Sequence, residues 1–333
     1  MSGNQESLYK LPAIGITIGD AAGIGPEIVL KALADQHSLK TFEPVVIGDE
    51  RFLRSHAAGL GLSLNESIEI VDLGNLPSTV RAGEESADTG RASGEYIEKA
   101  VELWRSSAID AIATAPISKK ALNAGGYDFP GHTEFLAALT GTRDFAMSFF
   151  AEKLRVVLLS THLPLLDAID LVRKDKLVDL ITFTQLQLSR LLNRPVRIAV
   201  AGLNPHASEG GMFGSQEADE IKPAIDHCRQ DLGIDVAGPF SPDTIFLRGF
   251  RGEFDAVVAC YHDQATIAVK SLSFGSAVNV TLGLPLIRTS VDHGTAVDIA
   301  GKNMADASSM SAAIALAAEL VSVQSAVRSG IRN

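Results

Sequence analysis

The chain has 333 residues, a formal net charge of −11 and a hydrophobic content of 46%. This composition predicts a large buried core and argues against intrinsic disorder, and the acidic balance argues against nucleic-acid binding, which needs a basic face. The length allows one large domain or two modest ones. The two cysteines, Cys228 and Cys260, indicate no disulfide framework and fit a reducing compartment.

The N-terminal decapeptide MSGNQESLYK is polar, as expected of a loose tail, and lacks the apolar core of a signal peptide. No uninterrupted run of about 18 apolar residues occurs, so no membrane-spanning helix is expected. Together with the cysteine content, these features predict a cytoplasmic protein without a membrane partner.

Strands alternate with helices through the first third of the chain, which predicts a mostly parallel sheet. The predicted strands are Ala13–Ile18, Pro44–Gly48, Ser67–Val71 and Ala111–Ala115, and the predicted helices are Ile28–Leu33, Arg51–Leu60 and Arg91–Trp104. Between the first strand and helix lies a glycine loop, Gly19, Gly23 and Gly25, which does not match the dinucleotide fingerprint GxGxxG. By itself this loop is more typical of a turn than of a binding site.

The segment YDFPGHTE at 127–134 combines a Pro-Gly turn with a predicted helix start. Thr133 could cap that helix. His132 and Thr133 would then lie at a helix N-terminus, where an anion is favoured. A capped helix with an incidental histidine fits the same spacing, so both interpretations stay open.

The later predicted elements include a hairpin, three helices and one proline-rich connection. These are the hairpin Phe145–Ala151 and Leu154–Ser160, the helices Lys174–Leu192, Gln216–Leu232 and Ser309–Val323, and the connection Gly238–Asp243.

Three histidines each follow a short apolar strand. His162 follows RVVLLS, His206 follows RIAVA, and His262 follows the run AVVAC. Ligands of parallel sheets collect at the carboxyl ends of the strands, and neutral imidazole binds several divalent metals, so these residues are a candidate metal site. Any one of them could instead be an ordinary loop histidine, because the spacings match no local metal motif.

Two long motifs make the sequence recognisable. GDAAGIGPEI at 19–28 and IRTSVDHGTAVDIAGK at 287–302 resemble segments of isocitrate and isopropylmalate dehydrogenases. Together with TAPISKKAL, YDFPGHTE, STHLPL, LNPHASEGG and YHDQ, they make the chain resemble the 4-hydroxythreonine-4-phosphate dehydrogenase (PdxA) family nearly end to end.

The resemblance implies an α/β fold of the isocitrate/isopropylmalate dehydrogenase type, with two α/β subdomains and an active-site cleft between them. Residues 1–127 with 282–333 would form the first subdomain, and residues 128–281 the second, which carries the histidines. The resemblance also implies a homodimer with a shared active site, in which a partner subunit supplies one metal histidine. His262 is our choice for that residue.

The resemblance also assigns site residues one by one. His162, His206 and His262 match the ligands of one divalent ion, which could be Zn, Mg, Co or Mn. His132, Thr133, Lys270, Asn279 and Arg288 match substrate-binding positions. The HGTAVDIAGK loop, His293–Lys302, resembles the stretch that would bind NAD or NADP, and the candidate contacts there are Asp292, His293, Gly294, Thr295, Ala296 and Asp298.

The implied reaction oxidises the C3 hydroxyl of a 4-phosphorylated 3-hydroxy acid and then releases CO₂. The main interpretation is 4-(phosphooxy)-L-threonine giving 3-amino-2-oxopropyl phosphate, in pyridoxal phosphate biosynthesis. The alternative is oxidation of 4-phospho-D-threonate or 4-phospho-D-erythronate, giving dihydroxyacetone phosphate. Lys270, Asp243 and Asp263 are hypothetical catalytic proton relays.

Some positions depart from the family pattern. Ala21 replaces a proline, Ser208 replaces a glycine, and Met212 stands where pyridoxine-pathway members often carry histidine. The GDAAG sequence is more similar to the catabolic branch that oxidises the threonate or erythronate. Two other hypotheses remain, a metal-dependent aldolase or hydrolase and a non-catalytic binder of phosphorylated ligands.

Overall fold

The structure is a computed structural model that describes residues 10–34, 38–62, 64–65, 68–273 and 275–328. The predicted tail and Ser67 therefore lie outside the described residues, apart from Lys10. The chain divides into two compact units, which we call the first unit (residues 1–132 and 294–322) and the second unit (133–293 and 323–333). The chain passes from one unit to the other after residues 132, 293 and 322. The predicted subdomain boundaries lay after residues 127 and 281. Arg288 consequently belongs with Asn279 in the second unit.

The first unit is a parallel sheet with helices. Its strands are β1 (Ala13–Thr17), β2 (Glu43–Gly48), β3 (Glu69–Asp72) and β4 (Ala111–Thr114), in the order β3-β2-β1-β4. Its helices are α1 (Gly25–Ala34), α2 (Glu50–Gly59), α3 (Ala87–Arg105) and α4 (Lys119–Ala124), joined by most of the C-terminal helix α11 (Ser308–Arg328). Strands β1 and β4 are buried at every position, as expected of parallel strands covered on both faces.

The second unit is a mixed sheet with helices. Its strands are β5 (Ala146–Ala151), β6 (Leu154–Leu158), β7 (Ile198–Ala201), β8 (Val236–Phe240), β9 (Ala256–Ala259), β10 (Val278–Leu282) and β11 (Ile287–Ser290), in the order β11-β10-β5-β6-β9-β7-β8. The half from β6 to β8 is parallel, and the pairs β11-β10, β10-β5 and β5-β6 are antiparallel. Its helices are α5 (His132–Thr140, which starts at the unit boundary), α6 (Leu165–Asp170), α7 (Lys174–Leu192), α8 (Lys222–Gln230), α9 (Pro242–Phe250) and α10 (His262–Leu272). An apolar core that includes Phe149, Val156 and Val257 packs the sheet against Ile245 of α9 and Val269 of α10.

Two predictions about local structure, of a connection and of a helix cap, are wrong, and a third, of a helix, is confirmed with one irregular turn. The predicted connection Gly238–Asp243 forms the end of β8 and the start of α9; β8 is an edge strand, where the missing N–H of Pro239 breaks no ladder bond. The predicted helix Gln216–Leu232 is helical over 217–230, but its first turn, Glu217–Ile221, is π-helical, and α8 follows it directly. Thr133 does not cap α5, because that helix already begins at His132.

Helix α11 is long and apolar enough over Ser308–Ala326 to cross a membrane by length and composition, with a mean hydropathy of 1.3. It is the one such helix in the described part of the chain. Its buried residues Met310, Ala313, Ile314 and Ala317 recur every three or four positions, which is the pattern of a helix that packs one face into a protein core. The core helix of a soluble protein passes the same test, so this signal is weak.

Candidate active site

The three candidate histidines follow three neighbouring parallel strands of the second unit. His162 comes four residues after β6, His206 five after β7, and His262 three after β9. Strand β9 lies between β6 and β7 and is parallel to both. The loops that carry these imidazoles therefore leave the same edge of the sheet, as the sequence pattern predicted.

Two of these imidazoles lie side by side. The ring centroids of His162 and His262 are 5.6 Å apart, and Nδ1 of His262 is 2.7 Å from Oδ1 of Asp263. A carboxylate on Nδ1 would leave Nε2 as the nitrogen available to bind a metal. Among the described residues, however, no three histidine, cysteine or carboxylate side chains come together as a metal site.

His206 lies in a loop of left-handed backbone. The φ angles of His206, Ala207, Ser208 and Glu209 are 53°, 50°, 66° and 46°. Each non-glycine residue in this region costs roughly 1–2 kcal/mol, so the run persists only where its surroundings fix it. Ser208 holds one of these positions, where a glycine would be the less strained residue, and its Oγ accepts a hydrogen bond from the backbone N–H of Gly211.

Two side chains that the sequence pattern did not single out hold this loop. Glu217 Oε1 accepts hydrogen bonds from the backbone N–H groups of Leu203 and Asn204, at 2.8 and 2.7 Å. Gln264, in the first turn of α10, accepts from the N–H of Cys260 and donates to the carbonyl of Gly202, both at 2.7 Å. Gln264 therefore fastens the loop that carries His206 to the start of the helix that carries His262.

A polar row lies on the hairpin formed by β10 and β11. Asn279 pairs with Ser290 and Val280 with Thr289, so Asn279, Thr281, Arg288 and Ser290 share one face. Nη1 of Arg288 donates to Oγ1 of Thr281 at 3.1 Å, and that hydroxyl lies 3.4 Å from Oγ1 of Thr133. Two predicted substrate residues, Thr133 and Arg288, are thus linked through Thr281, which the motif assignment omitted.

Arg288 is a cation held away from water. Its side chain is 3% exposed, and burial lowers the pKa of Arg288 to about 10, opposed by the nearby carboxylate of Glu134. Asn279 adds an unsatisfied acceptor, because its Oδ1 is buried and has no hydrogen-bond partner among the described residues. A buried charge and a buried unpaired acceptor both carry a desolvation penalty that an anionic, hydrogen-bonding ligand would relieve.

The remaining predicted catalytic residues fall in two places. Nζ of Lys270 is 3.8 Å from Oδ2 of Asp292, and the lysine side chain is half-exposed. Asp243 and Asp263 line one groove of about 460 Å³ between α9 and α10. Asp243 accepts a 2.6 Å hydrogen bond from the hydroxyl of Ser241, and Asp263 contacts His262.

In the first unit, the glycine loop packs against the part of the predicted dinucleotide stretch that begins at Gly294. The backbone N–H of Ile24 donates to the carbonyl of Thr295 at 2.9 Å. A Cβ on Gly23 would lie 2.8 Å from that same oxygen, so only glycine fits the contact without displacement. The glycine loop, which by itself was more typical of a turn than of a binding site, therefore supports the stretch that begins at Gly294.

The buried side chain of Asp20 accepts a hydrogen bond from the backbone of the glycine loop. Its side chain is fully buried, and its Oδ1 accepts from the N–H of Ala22 at 2.9 Å. Burial raises the pKa of Asp20, against hydrogen bonds from Ala22 and Thr89 that lower it.

A cavity of about 670 Å³ adjoins the far end of the predicted dinucleotide stretch. It lies between α2, the loop 77–82 and residues 301–303, and Arg51, Ser55 and Lys302 supply polar lining. The rings of Phe52 and His56 stack at 5.6 Å on one wall. Burial lowers the pKa of His56, opposed by Glu27, which favours a neutral imidazole there.

A family model described as "Pyridoxal phosphate biosynthetic protein PdxA" matches residues 40–317. The chain belongs to the PdxA family. It is 47% identical over 325 residues to a D-threonate 4-phosphate dehydrogenase of Cupriavidus necator, covering 93% of this chain and 97% of that protein. It is 44% identical over 327 residues to a 4-hydroxythreonine-4-phosphate dehydrogenase of Desulfosudis oleivorans, covering 92% and 95%.

A solved structure of a 4-hydroxythreonine-4-phosphate dehydrogenase from Klebsiella pneumoniae is similar throughout, with a TM-score of 0.84 and 40% identity over 93% of this chain and 99% of that chain. The predictions of the PdxA family, of a mixed α/β fold and of an oxidoreductase that acts on a CH–OH group are confirmed. The aldolase, hydrolase and binder hypotheses gain no support from relatives that are named dehydrogenases.

The donor set of this PdxA-family chain fits the groups that the resemblance implies. The neighbouring imidazoles of His162 and His262 suit a divalent transition metal, and a third ligand would have to join them. At the dinucleotide stretch, a Cβ on Gly294 would meet no atom within 4 Å, so the backbone there is open to close approach.

Proposed function

We propose that this chain uses NAD(P) and one divalent ion to oxidise the C3 hydroxyl of a 4-phosphorylated 3-hydroxy acid, with loss of CO₂. The main candidate substrate is 4-(phosphooxy)-L-threonine, which would give 3-amino-2-oxopropyl phosphate for pyridoxal phosphate synthesis. The observation that carries the proposal is the buried cation of Arg288 beside the hydroxyls of Thr281 and Thr133. Such a site suits a doubly charged acid with hydroxyl groups.

Arg288 would bind the phosphate or the carboxylate through its planar guanidinium, which can donate two parallel hydrogen bonds. The buried Oδ1 of Asn279 would accept a hydrogen bond from a substrate hydroxyl or ammonium group. His132 and Thr133, in the first turn of α5, would contact the same ligand. Lys270 would provide a second positive charge.

His162, His206 and His262 would hold the divalent ion. When bound, that ion would act as a Lewis acid on the substrate oxygens, and the dinucleotide would accept the hydride. Asp263 would keep the Nδ1 proton of His262 in place, so that Nε2 faces the metal. In the proposed dimer, His262 stays our choice for the ligand that the partner subunit would supply.

The NAD or NADP molecule would lie along the stretch from Asp292 to Asp298. The open backbone at Gly294 and the support given to Thr295 by Ile24 favour close approach of a nucleotide there. The proposed contacts are Asp292, His293, Gly294, Thr295, Ala296 and Asp298.

Lys270 is our first choice for moving a proton to or from the substrate. Its Nζ lies near a carboxylate, Asp292, which could receive or return that proton. Asp243 and Asp263 are weaker choices, because each is already engaged by a neighbour, Ser241 and His262 respectively.

A homodimer with a shared site is part of the proposal. Exposed apolar side chains follow each metal histidine along the chain, and the most exposed are Leu166 (77%), Met212 (73%) and Ile267 (67%). Apolar surface of this kind often marks an interface, and a second copy of the chain could cover it and complete the metal ligands. We also propose a cytoplasmic location.

A second candidate substrate is 4-phospho-D-threonate or 4-phospho-D-erythronate. The relative named D-threonate 4-phosphate dehydrogenase, at 47% identity, favours it, as does Ala21 in the glycine loop. The threonate differs from the main candidate in carrying a hydroxyl in place of the amino group at C2.

The test is reduction of NAD and of NADP by the purified protein with each of the three phosphorylated acids, before and after metal removal. We expect chelator-sensitive turnover of at least one acid. Preference for the amino acid supports pyridoxal phosphate synthesis, and preference for the threonate or erythronate supports sugar-acid breakdown. Absence of reduced dinucleotide with all three acids would overturn the proposal.

A further inference from the structure

A partly buried ion pair in the first unit holds the chain just beyond the proposed dinucleotide stretch. Glu27 lies in the first turn of α1 with a fully buried side chain. Its Oε1 accepts hydrogen bonds from Nζ of Lys31 at 2.7 Å and from the backbone N–H of Ala305 at 2.9 Å. Nζ of Lys31 also donates to the carbonyl of Ala305 at 2.8 Å.

The two side chains therefore hold both polar groups of one residue. The carboxylate of Glu27 binds the N–H of Ala305, and the ammonium of Lys31 binds its C=O and, at 3.4 Å, the carbonyl of Asn303. We call this arrangement the Glu27–Lys31 clasp. Hydrogen bonds that involve a charged group are among the stronger ones in proteins, so the clasp fixes this backbone firmly.

The same helix region also holds the other end of the stretch. Ile24 donates to the carbonyl of Thr295, so residues 24–31 contact the chain at Thr295 and again at 303–305. Between these points the backbone turns through left-handed residues, Ala296 with φ 41°, Gly301 with φ 72° and Asn303 with φ 58°. A segment with several such residues needs external restraints to keep one conformation.

We propose that Glu27 and Lys31 are positioning residues that set the dinucleotide affinity of residues 293–302 without contacting the dinucleotide. The inference rests on the proposed function, which makes this stretch the dinucleotide site. Without the clasp, the binding-competent conformation is one of several, and the apparent dissociation constant rises in inverse proportion to the population that stays competent. A fall of that population to a tenth raises the dissociation constant tenfold.

An experiment can separate the effect of the clasp on residues 303–305 from the contribution that any i,i+4 ion pair makes to helix stability. Lys222 and Asp226 form an ion pair of the same i,i+4 type on α8, with 2.6 Å between Nζ and Oδ2. Among the bonds described for Lys222, its Nζ reaches only Asp226 of its own helix. Lys222→Met is therefore the matched control for Lys31→Met, because each removes a helical pair but only one releases a distant segment.

The experiment compares wild type, Glu27→Gln, Glu27→Ala, Lys31→Met and Lys222→Met in the full chain. Calorimetric titration with NAD and NADP gives the dissociation constant, and amide hydrogen exchange of the peptide covering 294–306 gives its protection. We expect at least tenfold weaker binding and faster exchange for Lys31→Met and Glu27→Ala, with wild-type values for Lys222→Met. Glu27→Gln keeps an acceptor for the Ala305 N–H and should fall between, which keeps the test valid if Glu27→Ala does not fold.

Two outcomes contradict the inference in distinguishable ways. Unchanged dinucleotide affinity in Lys31→Met and Glu27→Gln, with a wild type that binds normally, overturns the positioning role alone. A wild type that binds neither dinucleotide overturns the proposed function and this inference with it. Steady-state kinetics add a further check, because a positioning role raises the KM for the dinucleotide more than the KM for the phosphorylated acid.

Discussion

Replacing Gly23 with alanine tests the packing of the glycine loop on the dinucleotide stretch. The new Cβ would lie 2.8 Å from the carbonyl oxygen and 2.9 Å from the Cβ of Thr295, and the nearest atoms include backbone that cannot rotate away. Overpacking of this kind costs about 1–3 kcal/mol, and the lower entropy of the unfolded alanine chain returns about 0.4–1 kcal/mol. We therefore expect a net destabilisation of about 1–2 kcal/mol.

Gly59→Ala is the matched control in the same unit. A Cβ there would meet no atom within 4 Å, and Gly59 is the last residue of α2. Alanine should therefore be neutral or stabilising by up to about 1 kcal/mol. Urea unfolding followed by the fluorescence of Trp104, the single tryptophan, reports on the first unit that holds both glycines. Equal unfolding free energies for the two variants would refute the packing argument.

Three further predictions concern charge and chemistry. Because burial raises the pKa of Asp20, ionisation of its carboxyl group opposes folding. The free energy of unfolding of the wild type therefore falls as the pH rises from about 4, the unfolded-state value, through the folded-state pKa. Asp20→Asn should therefore gain unfolding free energy relative to wild type across that window; a gain that is absent or reversed in urea titrations at several pH values would argue against it. His206→Ala should lose turnover and bound metal but keep its circular dichroism; near-wild-type rates with metal retained would exclude this ligand. Arg288→Lys should raise the KM for the phosphorylated acid roughly tenfold or more and leave the dinucleotide KM nearly unchanged, since lysine makes no paired contact; equal changes in both constants would count against an anchoring role.

The three histidines at the strand ends show which part of the candidate site could be predicted from the sequence. Each of the three histidines follows a run of buried apolar residues, so the sequence predicts that each lies near the end of a strand. Local patterns say nothing about strand order, and it is the parallel pairing of β6 with β9 that makes His162 and His262 neighbours. The resemblance named the residues, and the strand order gives the physical reason why two of them lie side by side.

The residues that pattern reasoning missed act over long sequence separations. Thr281 contacts Thr133 148 positions away, Gln264 reaches Gly202 62 positions away, and Lys31 reaches Ala305 274 positions away. Each looks locally like an ordinary polar residue of a strand or a helix turn. Only the folded chain shows that these side chains hold the segments on which the proposed chemistry depends.

The central claim is an oxidative decarboxylation that depends on metal and dinucleotide. The most direct measurement follows reduced dinucleotide and released CO₂ together, with the metal-loaded protein and whichever phosphorylated acid it turns over fastest. The account predicts equal amounts of the two products, both lost on chelation and restored by a divalent ion. Reduced dinucleotide without CO₂, or turnover that survives complete metal removal, would contradict it.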